Sequence, residues 1–211
     1  MHIPDGFLDP KTWITLDAIA TGTVGLSVFK TSKKLKERMI PLMGVLAAFI
    51  FAAQMLNFPI AGGTSGHFIG SALAAILLGP FAGTLVMTVV IVVQALLFQD
   101  GGIAVLGANI FNMAIAGSLL GYLIFYALRL IFKTTKGLYA SAFITSWVVV
   151  VLSSSLVAFQ LAISKTIALK VALPAMTGIH ALIGIVEGLI TVGVIALVNK
   201  VRPDLLSMEK I

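Results

Sequence analysis

Long apolar stretches separated by short polar or turn-forming segments extend along most of the chain. A helix needs about 20 mostly apolar residues to cross the hydrocarbon core of a bilayer, which is roughly 30 Å thick. The pattern therefore predicts an all-α, polytopic membrane protein with about seven transmembrane helices, formed as a single integral membrane domain over residues 1–211. The predicted spans are residues 12–29, 40–56, 67–79, 81–98, 107–132, 138–162 and 175–198.

Two of these spans depart from a simple apolar pattern. The first contains polar residues that we expect to face the protein interior and not lipid. They are Thr12, Thr15, Asp17, Thr21 and Thr23. The third span is short because Gly79-Pro80 interrupts it, so we expect a partial or tilted helix packed within the bundle.

Lysine and arginine residues are distributed unequally between the two sides of the predicted bundle. With the N-terminus outside, eleven of them lie in cytoplasmic segments and three in outer segments. The cytoplasmic set is Lys30, Lys33, Lys34, Lys36, Arg38, Arg129, Lys133, Lys136, Lys200, Arg202 and Lys210, and the outer set is Lys11, Lys165 and Lys170. This positive-inside bias predicts an outer N-terminus and a cytoplasmic C-terminus.

Composition excludes several classes of site. Hydrophobic residues make up 59% of the chain and charged residues only 10%, far from the roughly 25% charged residues of soluble domains. The absence of cysteine excludes thiolate and disulfide chemistry, so nitrogen or oxygen atoms must hold any metal. The net charge of +6 comes from loop residues, so we expect no nucleic-acid partner. We also expect no bound cofactor.

Pairs of small residues recur at a spacing of four: Ala48 with Ala52, Gly117 with Gly121, and Gly184 with Gly188. Such pairs allow two helix backbones to approach closely. We expect them to pack helices within the bundle, and the alternative is docking of a partner helix.

The first two residues form a chelating arrangement. The Met1 amine and the His2 amide nitrogen close a five-membered ring on a metal, and the same amide and His2 Nδ1 close a six-membered ring. Planar nitrogen sites suit Ni(II) and Cu(II). This interpretation expects no cleaved signal peptide and a retained, deformylated Met1. The alternative is that the segment is simply an exposed start to the chain.

Two more histidines extend the candidate site. His67 follows the glycine-rich loop 61–66 on the predicted outer side and supplies a fourth nitrogen, or it acts as a helix cap or a loop residue bonded to Ser65. His180 and Glu187 share one face of the last predicted span, where an ionisable residue indicates function or pairing. We expect these side chains to form hydrogen bonds to metal ligands and hold them in position. The alternative is that they form hydrogen bonds between helices.

Amide and acidic side chains lie near the predicted outer ends of the spans. We expect Asn109, as well as Gln54, Asn57, Gln94, Gln99 and Asp100, to orient loops or metal ligands, or to satisfy backbone groups at helix breaks. The sequence contains no phosphate-binding loop and no hydrolase motif, so we expect a protein without its own ATPase or enzymatic activity.

Three segments together resemble a known family: Met1 to Leu8, the loop Gly63-Thr64-Ser65-Gly66-His67, and His180 to Glu187. They are similar to CbiM and NikM, the substrate-binding membrane subunits of energy-coupling factor transporters for nickel and cobalt. The resemblance covers essentially the whole chain. It implies a multi-pass protein of a prokaryotic cell membrane, whose N-terminus enters the seven-span bundle from outside.

The resemblance also implies a ligand set and partners. The Met1 amine, the His2 amide, the His2 ring and the His67 ring would take Ni(II) or Co(II) in a roughly square-planar site. The partners would be a transmembrane coupling subunit, two cytoplasmic ATPases and often a small accessory membrane protein. Nickel is favoured slightly because four planar nitrogens suit it.

Two other functions stay open at this point. One is a metal-dependent intramembrane enzyme that uses His67, His180 and Glu187, with the carboxylate as general base. The other is a metal permease that works without ATPases.

Overall fold

The computed structural model describes residues 1–37, 39–60 and 64–206. Its helices are α1 (Pro10–Ser32), α2 (Met39–Gln54), α3 (Ser71–Leu78), α4 (Pro80–Phe98), α5 (Leu106–Asn109), α6 (Gly117–Ile131), α7 (Thr135–Ile163) and α8 (Leu169–Val201). A π-helical segment, Ile110–Ala116, joins α5 to α6, and a 3-10 turn, Pro203–Leu205, follows α8. Of the residues used in the charge count, Arg38 and Lys210 lie outside the described part.

Five helical segments of the described chain are long and apolar enough to cross a membrane. They are Pro10–Ser32, Pro80–Phe98, Leu106–Ile131, Thr135–Ile163 and Leu169–Val201. The 16-residue helix α2 is apolar but shorter. A mostly helical membrane architecture, as predicted from the pattern, is therefore confirmed, with most helices extending a few residues beyond their predicted bounds.

The predicted third span, 67–79, starts too early, but the expectation of a partial helix packed within the bundle is confirmed. Helix α3 begins only at Ser71, and all eight of its residues are buried. Gly70 precedes it with φ of 83° and Gly79 ends it with φ of 84°, a backbone region that glycine adopts without steric cost. An apolar run of this length is compatible with either a span or a buried helix, and here other helices surround it.

A short hairpin replaces part of the expected flexible loop 61–66. Strand β1 (Phe58–Ile60) pairs antiparallel with β2 (Thr64–Gly66), and residues 61–63 lie outside the described chain. Gly66 is required by its surroundings, because a Cβ there would lie 2.9 Å from the side chains of Phe58 and Ile60. The strand holds the residues before His67 in a fixed position.

The small-residue pairs divide into two groups. Cβ atoms added at Gly117, Gly184 and Gly188 would collide with Ser71, Trp147 and Phe143, which confirms close helix packing inside the bundle. Ala48 and Ala52 are instead exposed on α2. These two residues therefore do not pack α2 against its own bundle.

Candidate metal centre

The N-terminal segment folds back into one end of the bundle as an extended chain. The Asn109 side chain forms two hydrogen bonds with the backbone of Ile3. The Ile3 N–H donates to Asn109 Oδ1 at 2.8 Å, and Asn109 Nδ2 donates to the Ile3 carbonyl at 3.1 Å. The Gly102 N–H also donates to that carbonyl, at 2.9 Å. As a result, Met1 and Ile3 are fully buried and His2 is 3% exposed.

Asp5 anchors the turn that follows, a role that the sequence analysis missed. Its carboxylate accepts hydrogen bonds from the backbone N–H groups of Ile103, at 3.1 Å, and Ala104, at 2.9 Å. The signal was an acidic side chain within a Pro-Asp-Gly turn, which favours bonds to nearby backbone donors. Its partners here lie almost a hundred residues away along the chain.

Gly102 allows this close approach, and we expect Gly102→Ala to release the N-terminal segment. An added Cβ would lie 2.2 Å from Asp5 Oδ1 and 2.4 Å from the Asp5 nitrogen. The variant should increase proteolysis after the N-terminal residues and weaken metal binding by about tenfold or more, as loss of a supporting contact typically does. Limited proteolysis and metal titration check this.

Gly178→Ala is the matched control for that variant, since a Cβ at Gly178 meets no atom within 4 Å. It should match the parent protein in both assays. Equal behaviour of the two variants would contradict the role given to Gly102.

The Met1 amine is buried beside strand β2. It donates to the Ser65 carbonyl oxygen, and it lies 2.8 Å from Ser65 Oγ. Burial lowers the pKa of this amine well below its usual range, although the charge of Asp100 opposes the change. The neutral amine, the form that binds metal, is therefore favoured.

The His2 ring lies between the loop after α4 and His67. Its Nδ1 is 3.1 Å from Asp100 Oδ1, and its ring stacks on that of His67 with centroids 4.7 Å apart and planes at 17°. Burial lowers the pKa of His2, while the hydrogen bond and charge of Asp100 raise it. This places Asp100, one of several polar residues considered from sequence, directly beside the N-terminal histidine.

His67 presents one ring nitrogen without a partner. Its Nδ1 donates to the Phe68 carbonyl oxygen at 2.7 Å, which leaves the Nε2 lone pair available. This Nε2 is buried and has no hydrogen-bond partner among residues 1–37, 39–60 and 64–206. His67 does not cap α3, whose first helical residue is Ser71.

Glu187 on α8 positions the loop that carries His67. Its two carboxylate oxygens accept from the N–H groups of Ile69, at 2.6 Å, and Gly70, at 2.9 Å. Gln54 on α2 donates to the Ile69 carbonyl at 2.6 Å. The loop is thus tied to two helices at its centre.

His180 lies on the same face of α8 as Glu187. Its Nδ1 donates to the Met176 carbonyl of its own helix at 2.7 Å. Its Nε2 is buried, and no described residue forms a hydrogen bond with it.

The arrangement brings together nitrogen donors that differ in chemical type. Within the described ranges, no group of three or more His, Cys, Asp or Glu side chains could hold a metal. A metal bound beside His2 and His67 therefore needs additional donors, and the buried Met1 amine is one that lies within the same cluster. The backbone nitrogen of His2 lies one residue after that amine and is a further nitrogen of this cluster.

Comparison with known proteins gives consistent matches along the chain. The family model described as "Cobalt uptake substrate-specific transmembrane region", CbiM, matches residues 2–205. A protein of Haloquadratum walsbyi named for metal transport is 47% identical over 207 residues, covering 97% of this chain and 93% of its own. A protein of Archaeoglobus fulgidus named as a fused nickel transport protein is 43% identical over 211 residues, covering 99% and 69%.

A solved structure shares the fold. The crystal structure of a truncated transition metal transporter superposes with a TM-score of 0.89 at 35% sequence identity. The match covers 95% of this chain and 99% of that chain.

Proposed function

Because the chain belongs to the CbiM family of cobalt uptake substrate-specific transmembrane regions, we propose that it captures Ni(II) or Co(II) at the outer face of a prokaryotic cell membrane. The observation that carries this proposal is the burial of the Met1 amine, the His2 ring and the His67 ring at one end of the bundle. Three such nitrogen donors in one pocket suit a transition-metal ion.

The proposed ligands are the Met1 amine, the His2 amide nitrogen, His2 Nδ1 and His67 Nε2. Metal binding displaces protons from such groups. Loading would also exchange two existing contacts for metal bonds, namely the contact of the Met1 amine with Ser65 and that of His2 Nδ1 with Asp100. The Asp100 carboxylate would then be available to accept a displaced proton, and Ser65 would be available to order the ligands.

Asn109 and Glu187 position the proposed ligands His2 and His67 through hydrogen bonds to the backbone. Asn109 fixes the backbone immediately after His2, and Glu187 fixes the backbone just after His67. These hydrogen bonds would orient the ligands of a planar site before the metal ion binds. In this proposal His180 lies on the same face of α8 as Glu187 and nearer the outer end of that helix.

Import driven by ATP requires partners, since the sequence contains no nucleotide-binding motif. We propose a transmembrane coupling subunit, two cytoplasmic ATPases and a small accessory membrane protein, with the N-terminus of this chain outside and its C-terminus in the cytoplasm. The exposed residues Ala48 and Ala52 on α2 suit close contact with a helix of the coupling subunit. ATP hydrolysis would then rearrange this subunit and release the ion inward.

The enzyme alternative has less support. Both oxygens of Glu187 accept backbone hydrogen bonds, so the carboxylate holds the loop and is poorly placed as a general base.

Relatives named for nickel and for cobalt both match this chain. Nickel is slightly favoured by the planar ligand set.

We expect metal uptake only when the chain is expressed with its partners. The test uses bacterial cells that lack their own nickel and cobalt importers and measures radioactive metal accumulation. Cells with the chain, the coupling subunit and the ATPases should accumulate metal about tenfold or more above background, and His67→Ala should remove this uptake.

The control is the chain expressed alone, which should give background accumulation. Uptake by the chain alone at the full rate would favour the ATPase-independent permease. Uptake that is unchanged in His67→Ala would contradict the proposed binding site.

A further inference from the structure

His180 is the buried side chain at this end of the bundle whose chemistry the four proposed ligands leave unused. The residue is 0% exposed, and its Nδ1 hydrogen bond to Met176 leaves the Nε2 lone pair free. Leaving a buried polar atom unpaired is energetically unfavourable. A nitrogen of this kind on a rigid helix is available for a ligand.

The segment that carries His67 runs along α8 and places His67 beside His180. Thr64 Oγ1 donates to Met176 Sδ at 2.9 Å, a Cβ at Gly66 would lie 3.1 Å from Ile183, and Ile69 donates to Glu187. These α8 positions recur at helical spacing on one face, and His180 lies between them on that face. If protonated, His67 and His180 would be close enough to repel each other, as would the Met1 amine and His180.

The N-terminal dipeptide separates two walls of the pocket. On one side is the loop after α4, where Asp100 contacts His2 and a Cβ at Gly101 would lie 3.3 Å from His2 Cβ. On the other side are the His67 loop and α8 behind it. Helix α8, which carries His180, therefore borders the cluster on the side of the His67 loop.

We propose that His180 Nε2 is a fifth metal ligand, which approaches the four-nitrogen plane from the α8 side and favours Co(II) relative to Ni(II). The inference rests on the proposed function and adds a residue that determines specificity. Planar four-nitrogen coordination satisfies Ni(II) without a fifth donor. Co(II) in the same plane has an unpaired electron directed perpendicular to it and gains from an axial imidazole.

The first test is made on the unmodified protein. Purified protein loaded with Co(II) without oxygen is examined by low-temperature electron paramagnetic resonance. A low-spin spectrum with a nitrogen triplet from one axial ligand is expected, and labelling histidine with 15N should convert the triplet to a doublet. A high-spin spectrum, or a low-spin spectrum without nitrogen splitting, overturns the proposal.

The second test uses variants and measures Co(II) and Ni(II) affinity separately. His180→Ala and His180→Gln should lower Co(II) affinity by about tenfold or more and Ni(II) affinity much less, and should abolish the axial nitrogen splitting. Thr191→Ala is the matched control, because Thr191 is also fully buried on α8 with a hydroxyl that no described residue contacts by a hydrogen bond. It should leave both affinities unchanged.

The outcomes separate the two proposals. Equal losses for both metals in the His180 variants, or no loss for either, overturn the role of His180 while the four-nitrogen site stands. Failure of the parent protein to bind either metal overturns the proposed function and the fifth ligand with it.

Discussion

Extension of the N-terminus by two alanines is expected to abolish tight binding of Ni(II) and Co(II). The five-membered ring with the His2 amide requires an amine on Met1 itself, and an extension converts this amine into an amide. The Met1 amine is also fully buried against Ser65, so an added residue would have to displace this contact. We expect affinity to fall by at least about 100-fold, the upper end of what loss of a supporting residue costs.

The extension has two residues for a chemical reason. A single added residue would place the histidine third, and an amine, two amides and an imidazole then form a complete chelate without His67. With two added residues this alternative is lost. Titration calorimetry on the purified protein, with the N-terminal mass verified, gives the affinity.

Two controls accompany the extended protein. Two alanines added at the C-terminus should leave binding unchanged, whereas a formyl-blocked Met1 should lose it, because the formyl group removes the amine with minimal added bulk. Undiminished binding by the extended or the formylated protein would show that the amine is not a ligand.

The spans were predictable because a bilayer imposes a length and an apolar composition on each helix. The stretches over α4, α7 and α8 are long and continuous, and prediction placed their ends within about three residues, except that α8 begins six residues earlier than predicted. For helix α3, the interruption at Gly79-Pro80 correctly indicated a partial helix packed within the bundle. Its late start at Ser71 was not predictable, because the loop before it is held by contacts with other helices.

The candidate site was predictable only in part. Met1, His2 and His67 stood out because they carry nitrogen donors on one predicted side of the membrane. The groups that hold them, such as Asp5 and Glu187, bond to backbone N–H groups about a hundred residues away. A backbone donor has no signature in the sequence, so these partners appeared only in the folded chain.

Replacement of Glu187 by alanine is expected to destabilise the protein and to weaken metal binding together. The change removes the acceptors of the Ile69 and Gly70 N–H groups, which lie at 2.6 and 2.9 Å from the carboxylate. Each buried donor left unpaired costs about 1–3 kcal/mol, so the free energy of unfolding should fall by about 2–6 kcal/mol. The loop that presents His67 would lose its attachment to α8.

Glu187→Gln is the informative companion of that variant. Its amide oxygen can accept from one of the two backbone groups, but its NH₂ group faces the other donor, so about half of the loss should remain. Thermal unfolding in detergent measures stability, and nickel titration below the unfolding temperature measures binding. Because metal binds only the folded state, added nickel should raise the unfolding temperature of the parent more than that of either variant. Equal nickel stabilisation of parent and Glu187→Ala would mean that Glu187 supports the fold without positioning His67.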